Sequence, residues 1–343
     1  MGREGIRAII LGIFIFGLLI FVHELGHFLA ARAFGIRVHA FSVGMGPAIL
    51  KKEKNGVEYS LRLLPIGGYV KLEGEDEASD DPAAFSNKSP LKRIGVLFAG
   101  GFMNILTGLI IFVIVFSSVP AIRVPKVSGV VANTPAATCG MEPGDIITKI
   151  NGKKIHIQND VTMALMKNGT DTLSVTLSRN GETLTKELTP MLDESTGTYL
   201  LGFYPEVKDM TPGLALKTAY HNTSFVVELV YFSLGEMITG KVQLRDMAGP
   251  VGIVQEMNAV AKQEMPYLNM LNFMGLIAVN LGVMNLLPFP ALDGGRIFFA
   301  LVELIRRKKI TPEKEGLVHL IGFGLLIALM LIITFSDITK LFA

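Results

Sequence analysis

Two histidines four residues apart, His23 and His27, carry the clearest chemical signal in the sequence. Residues at positions i and i+4 lie on the same face of an α-helix, so both imidazoles can bind one metal ion. Glu24 lies beside them and is a candidate general base, as in zinc metalloproteases. The spacing therefore predicts a hydrolytic zinc site, although the same five-residue pattern also arises by chance in soluble helices.

The residues before this motif place it within a membrane. Residues 8–22 contain no charged side chain, and at ~1.5 Å per residue they form roughly 22 Å of helix. His23 then lies in the hydrocarbon layer near its cytoplasmic side. Ionisable groups at that depth are costly unless they bind something, which favours a metal site over solvated polar residues.

A third ligand is needed, because catalytic zinc usually has three protein ligands and one open position. Cys139 is the single cysteine in the sequence, so a cysteine-rich zinc site is excluded, and we expect this residue to be structural. Asp293 is the best candidate, since the sequence Leu-Asp-Gly-Gly allows close backbone approach. A turn or helix-cap aspartate is the alternative interpretation of that local sequence.

The elements that must position these residues are those of a membrane protein. Half of the 343 residues are hydrophobic, and the mean hydropathy is +0.47. A net charge of +2 is too small to indicate a nucleic-acid-binding protein. Four apolar segments are long enough to span a bilayer: residues 6–34, 94–119, 268–287 and 317–335. The predicted fold class is therefore a multi-pass α-helical membrane protein with four transmembrane helices.

A fifth apolar segment, residues 214–238, does not fit a membrane span. It contains Lys217, His221, Glu228 and Glu236, each of which is expensive at the centre of a bilayer. We predict an interfacial or packed amphipathic helix here, within a connector over residues 208–267.

Lysine and arginine in the loops predict the orientation of the chain. Nine occur in residues 36–93 and six in residues 296–314, so both loops are expected in the cytoplasm. The first and third spans then run in the same direction, which places both histidines and Asp293 in the same leaflet. A fifth crossing would separate them.

Two segments outside the spans have strand patterns. Residues 123–207 have the short alternating runs and turns of a small α+β domain, inserted on the extracytoplasmic side. Residues 57–72 alternate as a strand and turn near residues 65–68, which predicts a β-hairpin in the cytoplasmic loop. An exposed strand edge there would be able to pair with an unwound substrate.

The ordered pair of motifs resembles the site-2 protease family of intramembrane zinc metalloproteases, peptidase family M50. The single PDZ-like insert, with residues 128–152 as its most similar stretch, resembles the bacterial regulator-of-sigma-E protease type. The resemblance implies that His23, His27 and Asp293 bind Zn²⁺ and that Glu24 is catalytic. It also implies that Asn280 and Asn285 hold the substrate backbone, for which helix packing is the alternative.

Further family features concern the second span, the connector, the insert and the hairpin. Residues 100–104 match a glycine-rich family signature that small-residue packing explains equally well, and residues 249–253 match a segment to which we assign no chemistry. A PDZ domain would bind extended chain ends or exclude large substrates. In the family, the hairpin dips towards the membrane.

The domain organisation follows from these features. Residues 1–119 comprise the first two spans with the loop 36–93, residues 123–207 the PDZ-like domain, residues 208–267 the connector, and residues 268–343 the last two spans.

The expected function is that of a zinc metalloendopeptidase in regulated intramembrane proteolysis, in the inner membrane of a bacterium. Its expected substrates are single-span membrane proteins, in particular anti-sigma factors and remnant signal peptides. The other expected contacts are the lipid bilayer and a peptide at the PDZ domain, with no nucleic acid. A non-catalytic PDZ-bearing chaperone or scaffold and a zinc transporter are the alternatives, and intact Glu24 argues against both.

Overall fold

A computed structural model of the chain describes residues 3–75, 77, 79–242 and 249–340. The chain divides into two units, one formed by Met1–Ile111 with Val230–Ala343 and the other by Phe112–Leu229. The first unit contains the predicted metal ligands, and the second contains the predicted insert.

The described helices are α1 (Arg3–Ala33), α2 (Pro90–Ser118), α3 (Pro135–Thr138), α4 (Gln158–Asn168), α5 (Pro212–Ile238), α6 (Pro250–Ala261), α7 (Pro266–Asn285), α8 (Asp293–Arg306) and α9 (Pro312–Lys340). The described strands are β1 (Val38–Lys54), β2 (Val57–Leu72), β3 (Ala121–Val130), β4 (Ile146–Ile150), β5 (Lys153–Lys154), β6 (Leu173–Arg179), β7 (Glu182–Leu188), β8 (Met191–Asp193), β9 (Thr198–Leu200) and β10 (Phe203–Asp209).

Four segments in the described part of the chain are long and apolar enough to cross a membrane: Ile10–Ala33, Pro90–Ser118, Pro266–Asn285 and Glu313–Lys340. They confirm the four predicted spans. Large apolar side chains are exposed along these segments, as at Leu320, Leu331 and Phe335 on α9. Such side chains require a lipid environment, so the chain is a multi-pass membrane protein.

The β-structure after α1 differs from the predicted hairpin. β1 and β2 are joined at Asn55 and Gly56, which both have positive φ, as in the tight turns of two-residue hairpins. The two arms of the predicted hairpin both have β1 as their partner: Leu61 lies opposite Leu50 in the first arm, and Gly68 opposite Val43 in the second. The alternation of β1 is interrupted by glycines and a proline, which weaken a strand signal, so the sequence analysis missed it.

The second unit has the mixed architecture predicted for the insert. Its main sheet has the strand order β10-β3-β4-β6-β7, all antiparallel, and β5 pairs with β4. Ile147, Leu173 and Leu177 are fully buried in the core, against Val161 and Leu165 of α4. A buried carboxylate, Asp145, receives two hydrogen bonds from Arg179, which holds the pKa of Asp145 below its ordinary value.

Two titratable residues of α5 contact the inserted domain. His221 stacks on His156 with ring centroids 4.0 Å apart, and the Glu228 carboxylate pairs with Lys153 and Lys167. These contacts satisfy groups that would be costly in lipid. They support the prediction of a packed helix, and α5 is not among the four apolar spans.

Candidate metal centre

Three side chains converge where the sequence predicts a zinc site. The Nε2 atoms of His23 and His27 are 3.1 Å apart, and Asp293 Oδ2 lies 3.2 Å from the first and 3.3 Å from the second. With zinc–ligand bonds of about 2.0–2.2 Å, ligands in a tetrahedral site are separated by about 3.3–3.5 Å. The three atoms are therefore spaced almost as one metal ion would hold them, and three such ligands would leave a tetrahedral zinc one position for water or substrate.

The chemistry of these atoms fits Zn²⁺. Asp293 Oδ2 is buried and has no hydrogen-bond partner among the described residues, an arrangement that is costly unless the oxygen binds a cation. Two imidazoles and one carboxylate are also a common ligand set of catalytic zinc. The residues present therefore fit the predicted metal.

Asp293 is the first residue of α8, and a tight loop after α7 holds it in place. Ala291 has a φ of 79°, and its backbone N–H donates to His319 Nδ1 of α9 over 2.8 Å. A side chain at Gly294 would place its Cβ 2.1 Å from the carbonyl oxygen of Leu287. The glycine pair thus allows the close backbone approach that the sequence predicted, and His319 supports the loop from α9.

The second span, α2, orients the ring of His27. Its Nδ1 lies 2.9 Å from the carbonyl oxygen of Val96. A carbonyl can only accept a hydrogen bond, so Nδ1 carries the proton and the lone pair of Nε2 faces the other ligands. This is the tautomer that a metal-binding histidine needs.

Close packing of α1 on α2 requires glycine at two positions. A Cβ at Gly100 would lie 2.4 Å from His27 Nε2 and 2.8 Å from His23 Cε1. A Cβ at Gly26 would lie 2.5 Å from the backbone oxygen of Ala99. Even one methyl group at Gly100 would therefore displace the imidazoles.

We expect Gly100→Ala to reduce zinc affinity and peptidase activity at least tenfold, since misplaced ligands weaken metal binding by roughly 10–100-fold. Zinc content after dialysis against a weak chelator checks this. Gly324→Ala is the matched control, because a Cβ at Gly324 in α9 meets no atom within 4 Å among the described residues. Retention of wild-type zinc affinity by Gly100→Ala would show that the helices tolerate a wider spacing.

Glu24 lies between the ligands and the second arm of β2. A Cβ at Gly68 would be 3.0 Å from Glu24 Cγ, and the backbone N–H of Val70 faces the Glu24 carboxylate. Glu24 follows His23 directly on α1. The candidate base is thus bordered by the predicted metal ligands on one side and by an extended backbone on the other.

The two asparagines of α7 are placed differently. Asn285 ends the helix, and its Nδ2 lies 3.5 Å from His23 Nδ1. Asn280 is exposed, and five residues at about 100° each put it on another side of the helix. The structure therefore places Asn285 beside His23 and leaves Asn280 on the open surface of α7.

Sequence reasoning missed three groups around the ligands. Asn104 in α2 is fully buried with its Nδ2 3.5 Å from His23 Nδ1, whereas the sequence indicated only a glycine-rich segment there. His319 supports the Asp293 loop, and the Val96 carbonyl binds His27. Asn104 and His319 are isolated polar side chains in apolar spans, which could have indicated a role for them. The Val96 carbonyl belongs to the backbone, so no residue type indicates its role.

Comparison with known proteins identifies the family. Residues 11–329 match peptidase family M50. The chain belongs to peptidase family M50. Three similar proteins support this. A protein of Clostridium perfringens classed as a zinc metalloprotease is 41% identical over 96% of this chain and 98% of its own length. The zinc metalloprotease RasP of Bacillus licheniformis is 30% identical over 98% and 100%. The regulator of sigma-W protease RasP of Bacillus subtilis is 29% identical over 98% and 99%.

Solved structures match a smaller part of this M50 peptidase. The PDZ domain of an SdrC-like protein from Listeria monocytogenes is 21% identical and covers 24% of this chain and 87% of its own, with a TM-score of 0.22. A protein from Geobacillus thermodenitrificans is 26% identical and covers 24% and 94%, also with a TM-score of 0.22.

The M50 assignment confirms the resemblance found in the sequence, together with the predicted zinc dependence and the intramembrane peptidase activity. Nothing in these relatives favours the scaffold or the zinc transporter. The protein is an intramembrane zinc metalloprotease.

Proposed function

We propose that His23, His27 and Asp293 are the zinc ligands of this M50 peptidase and that Glu24 is its general base. The observation that carries the proposal is the convergence of three ligand atoms 3.1–3.3 Å apart. They come from α1 and α8, with a carboxylate next to them in sequence. Zn²⁺ at this position would lower the pKa of a coordinated water towards ~7 and polarise the scissile carbonyl.

Glu24, Asn285 and Asn280 would transfer the proton and bind the substrate. Glu24 takes the proton of the attacking water on its carboxylate and passes it to the amine that leaves. Asn285, next to His23, donates its amide N–H groups to the substrate backbone. Asn280 binds the substrate five residues earlier in α7, where its exposure leaves it accessible.

We propose that the substrates are transmembrane segments of single-span membrane proteins. The catalytic glutamate lies in the spanning segment Ile10–Ala33, so the scissile bond has to reach a site within the bilayer. The name of the Bacillus subtilis relative refers to regulation of sigma-W, which supports anti-sigma factors as one substrate class. Remnant signal peptides, which are also single apolar helices, are the second.

A cleavage assay with purified enzyme in lipid vesicles tests this function. We expect a cut within the apolar segment of a single-span substrate, mapped by mass spectrometry of the products. The reaction should stop with 1,10-phenanthroline and resume with added Zn²⁺. Cleavage only in the flanking soluble regions, or cleavage that resists the chelator, would contradict the proposal.

The β1/β2 hairpin is the proposed membrane-associated element that receives the substrate. It exposes an apolar patch that water would disfavour and lipid would accept. The patch consists of Met45, Ile49, Leu50, Leu61, Leu63 and Leu64. The second arm of β2 borders Glu24, so a substrate strand added at this arm would be extended next to the base.

Removing one backbone donor on this arm tests strand addition. We expect Val70→Pro to reduce cleavage at least tenfold with zinc content unchanged, because proline lacks the N–H that faces Glu24. Val70→Ala keeps that N–H and serves as the control, with a milder effect. Wild-type cleavage by Val70→Pro would exclude pairing at this arm.

The inserted domain is proposed to be an extracytoplasmic PDZ domain that binds peptide ends or excludes large substrates. A groove of about 590 Å³ between α4 and the Leu200–Tyr204 segment supports peptide binding, since strand addition beside a helix is the PDZ mode.

The lysine and arginine residues in the loops 36–93 and 296–314 support the proposed orientation, with the metal centre near the cytoplasm and the inserted domain on the other side. Labelling of single cysteines from each side of sealed vesicles tests it, and labelling of the inserted domain from the same side as these two loops would refute it.

A further inference from the structure

The imidazole of His23 needs a hydrogen-bond acceptor at its Nδ1 atom. Its Nε2 faces His27 Nε2 and Asp293 Oδ2, so in a metal-loaded site the neutral ring carries its proton on Nδ1. A metal-binding histidine almost always donates that second N–H to an oxygen. For His27 the oxygen is the Val96 carbonyl.

Two amide groups lie at the Nδ1 atom of His23. The Nδ2 atoms of Asn104 and Asn285 are each 3.5 Å away. With a protonated Nδ1, both contacts would join two donors, which is unfavourable. Rotating an asparagine amide by 180° exchanges its oxygen and nitrogen, and one rotated amide supplies the missing acceptor.

Burial distinguishes the two asparagines. Asn104 is fully buried, and its Oδ1 has no hydrogen-bond partner among the described residues. A buried carbonyl oxygen of this kind loses about 1–3 kcal/mol of solvation that a donor would restore. Asn285 is only partly buried at the end of α7, where it is accessible to substrate.

The position of Asn104 on α2 supports the same assignment. Val96, whose carbonyl binds His27 Nδ1, lies on the same helix eight residues earlier. Gly100 lies midway between them, and its missing side chain leaves room for both imidazoles. One helix thus faces the Nδ1 side of both histidines, while Asp293 faces the Nε2 side.

We propose that Asn104 is a positioning residue for the metal centre: its Oδ1 accepts the Nδ1–H of His23 and fixes the tautomer that binds zinc. Asn285 is thereby left to bind the substrate. This inference rests on the proposed ligand role of His23. It assigns the buried amide to metal affinity rather than to the packing of α1 against α2.

Zinc affinity of the purified, detergent-solubilised protein tests the assignment by competition with a chelator. Asn104→Leu, which has no acceptor, should raise the zinc dissociation constant about 10–100-fold. Asn104→Asp keeps an oxygen but has no amide donor, so it should bind zinc as tightly as wild type or more tightly. Thr107→Val, one turn along α2, should leave affinity unchanged, because the Thr107 hydroxyl donates to the Met103 carbonyl of its own helix.

Three results would overturn the assignment: wild-type zinc affinity in Asn104→Leu, equal losses in Asn104→Asp and Asn104→Leu, or a larger loss in Asn285→Leu than in Asn104→Leu. Melting temperature monitors folding, and Asn104→Ala replaces the leucine variant if that variant does not fold. His23→Ala separates this inference from the proposed function. If His23→Ala binds zinc normally, the ligand set is wrong, whereas loss in His23→Ala with full affinity in Asn104→Leu refutes the role of Asn104 alone.

Discussion

Glu24→Gln is expected to reduce cleavage of a transmembrane substrate by about 10²–10⁴-fold, the range typical of a lost general base. The amide has the shape of the carboxylate but cannot take a proton from water at neutral pH. Zinc content should stay at the wild-type level, since His23, His27 and Asp293 are unchanged. Single-turnover cleavage in lipid vesicles, with zinc measured on the same preparation, provides both numbers.

The control for this prediction is Glu313→Gln, a carboxylate that is exposed in the first turn of α9. It should cleave at the wild-type rate. If the zinc-bound Glu24→Gln variant cleaves as fast as the wild-type enzyme, another group acts as the base.

Loss of the third ligand should have the second large effect. We expect Asp293→Ala to lower bound zinc from about one ion per chain to near zero after dialysis and to reduce cleavage at least 10³-fold, because the remaining two histidines leave the metal under-coordinated. Asp293→Asn should fall between, since an amide oxygen is a weaker ligand than a carboxylate. Zinc analysis and a cleavage assay on each variant check the order.

Asp171→Asn is the matched control for Asp293, because Asp171 is exposed in the inserted domain. It should bind one zinc and cleave normally. Full zinc occupancy in Asp293→Ala would show that a different residue completes the site.

The sequence predicted that His23, His27 and Asp293 would lie together, because several signals combine. The helical spacing of His23 and His27 brings the two rings together, and the count of spans brings Asp293 to the same leaflet. The structure adds the distances, 3.1–3.3 Å between ligand atoms. The four spans were equally predictable, since length and apolarity are enough to define them.

Other features could not be predicted from the sequence because they depend on contacts between distant segments. β1 contains residues that weaken the strand pattern, and its pairing with both arms of β2 appears only in three dimensions. The Val96 carbonyl has no side-chain signature. Asn104 and His319 were visible as polar residues in apolar spans, but their partners, His23 and Ala291, lie far away in sequence.

Zinc K-edge X-ray absorption of the purified full-length enzyme tests the central claim most directly. The proposed site predicts one zinc ion with nitrogen and oxygen neighbours at about 2.0–2.2 Å and the outer-shell scattering of two imidazoles. The imidazole contribution should disappear, along with the zinc, in a His23→Ala, His27→Ala double variant. A sulfur neighbour at about 2.3 Å, or an unchanged zinc spectrum in the double variant, would contradict the site formed by His23, His27 and Asp293.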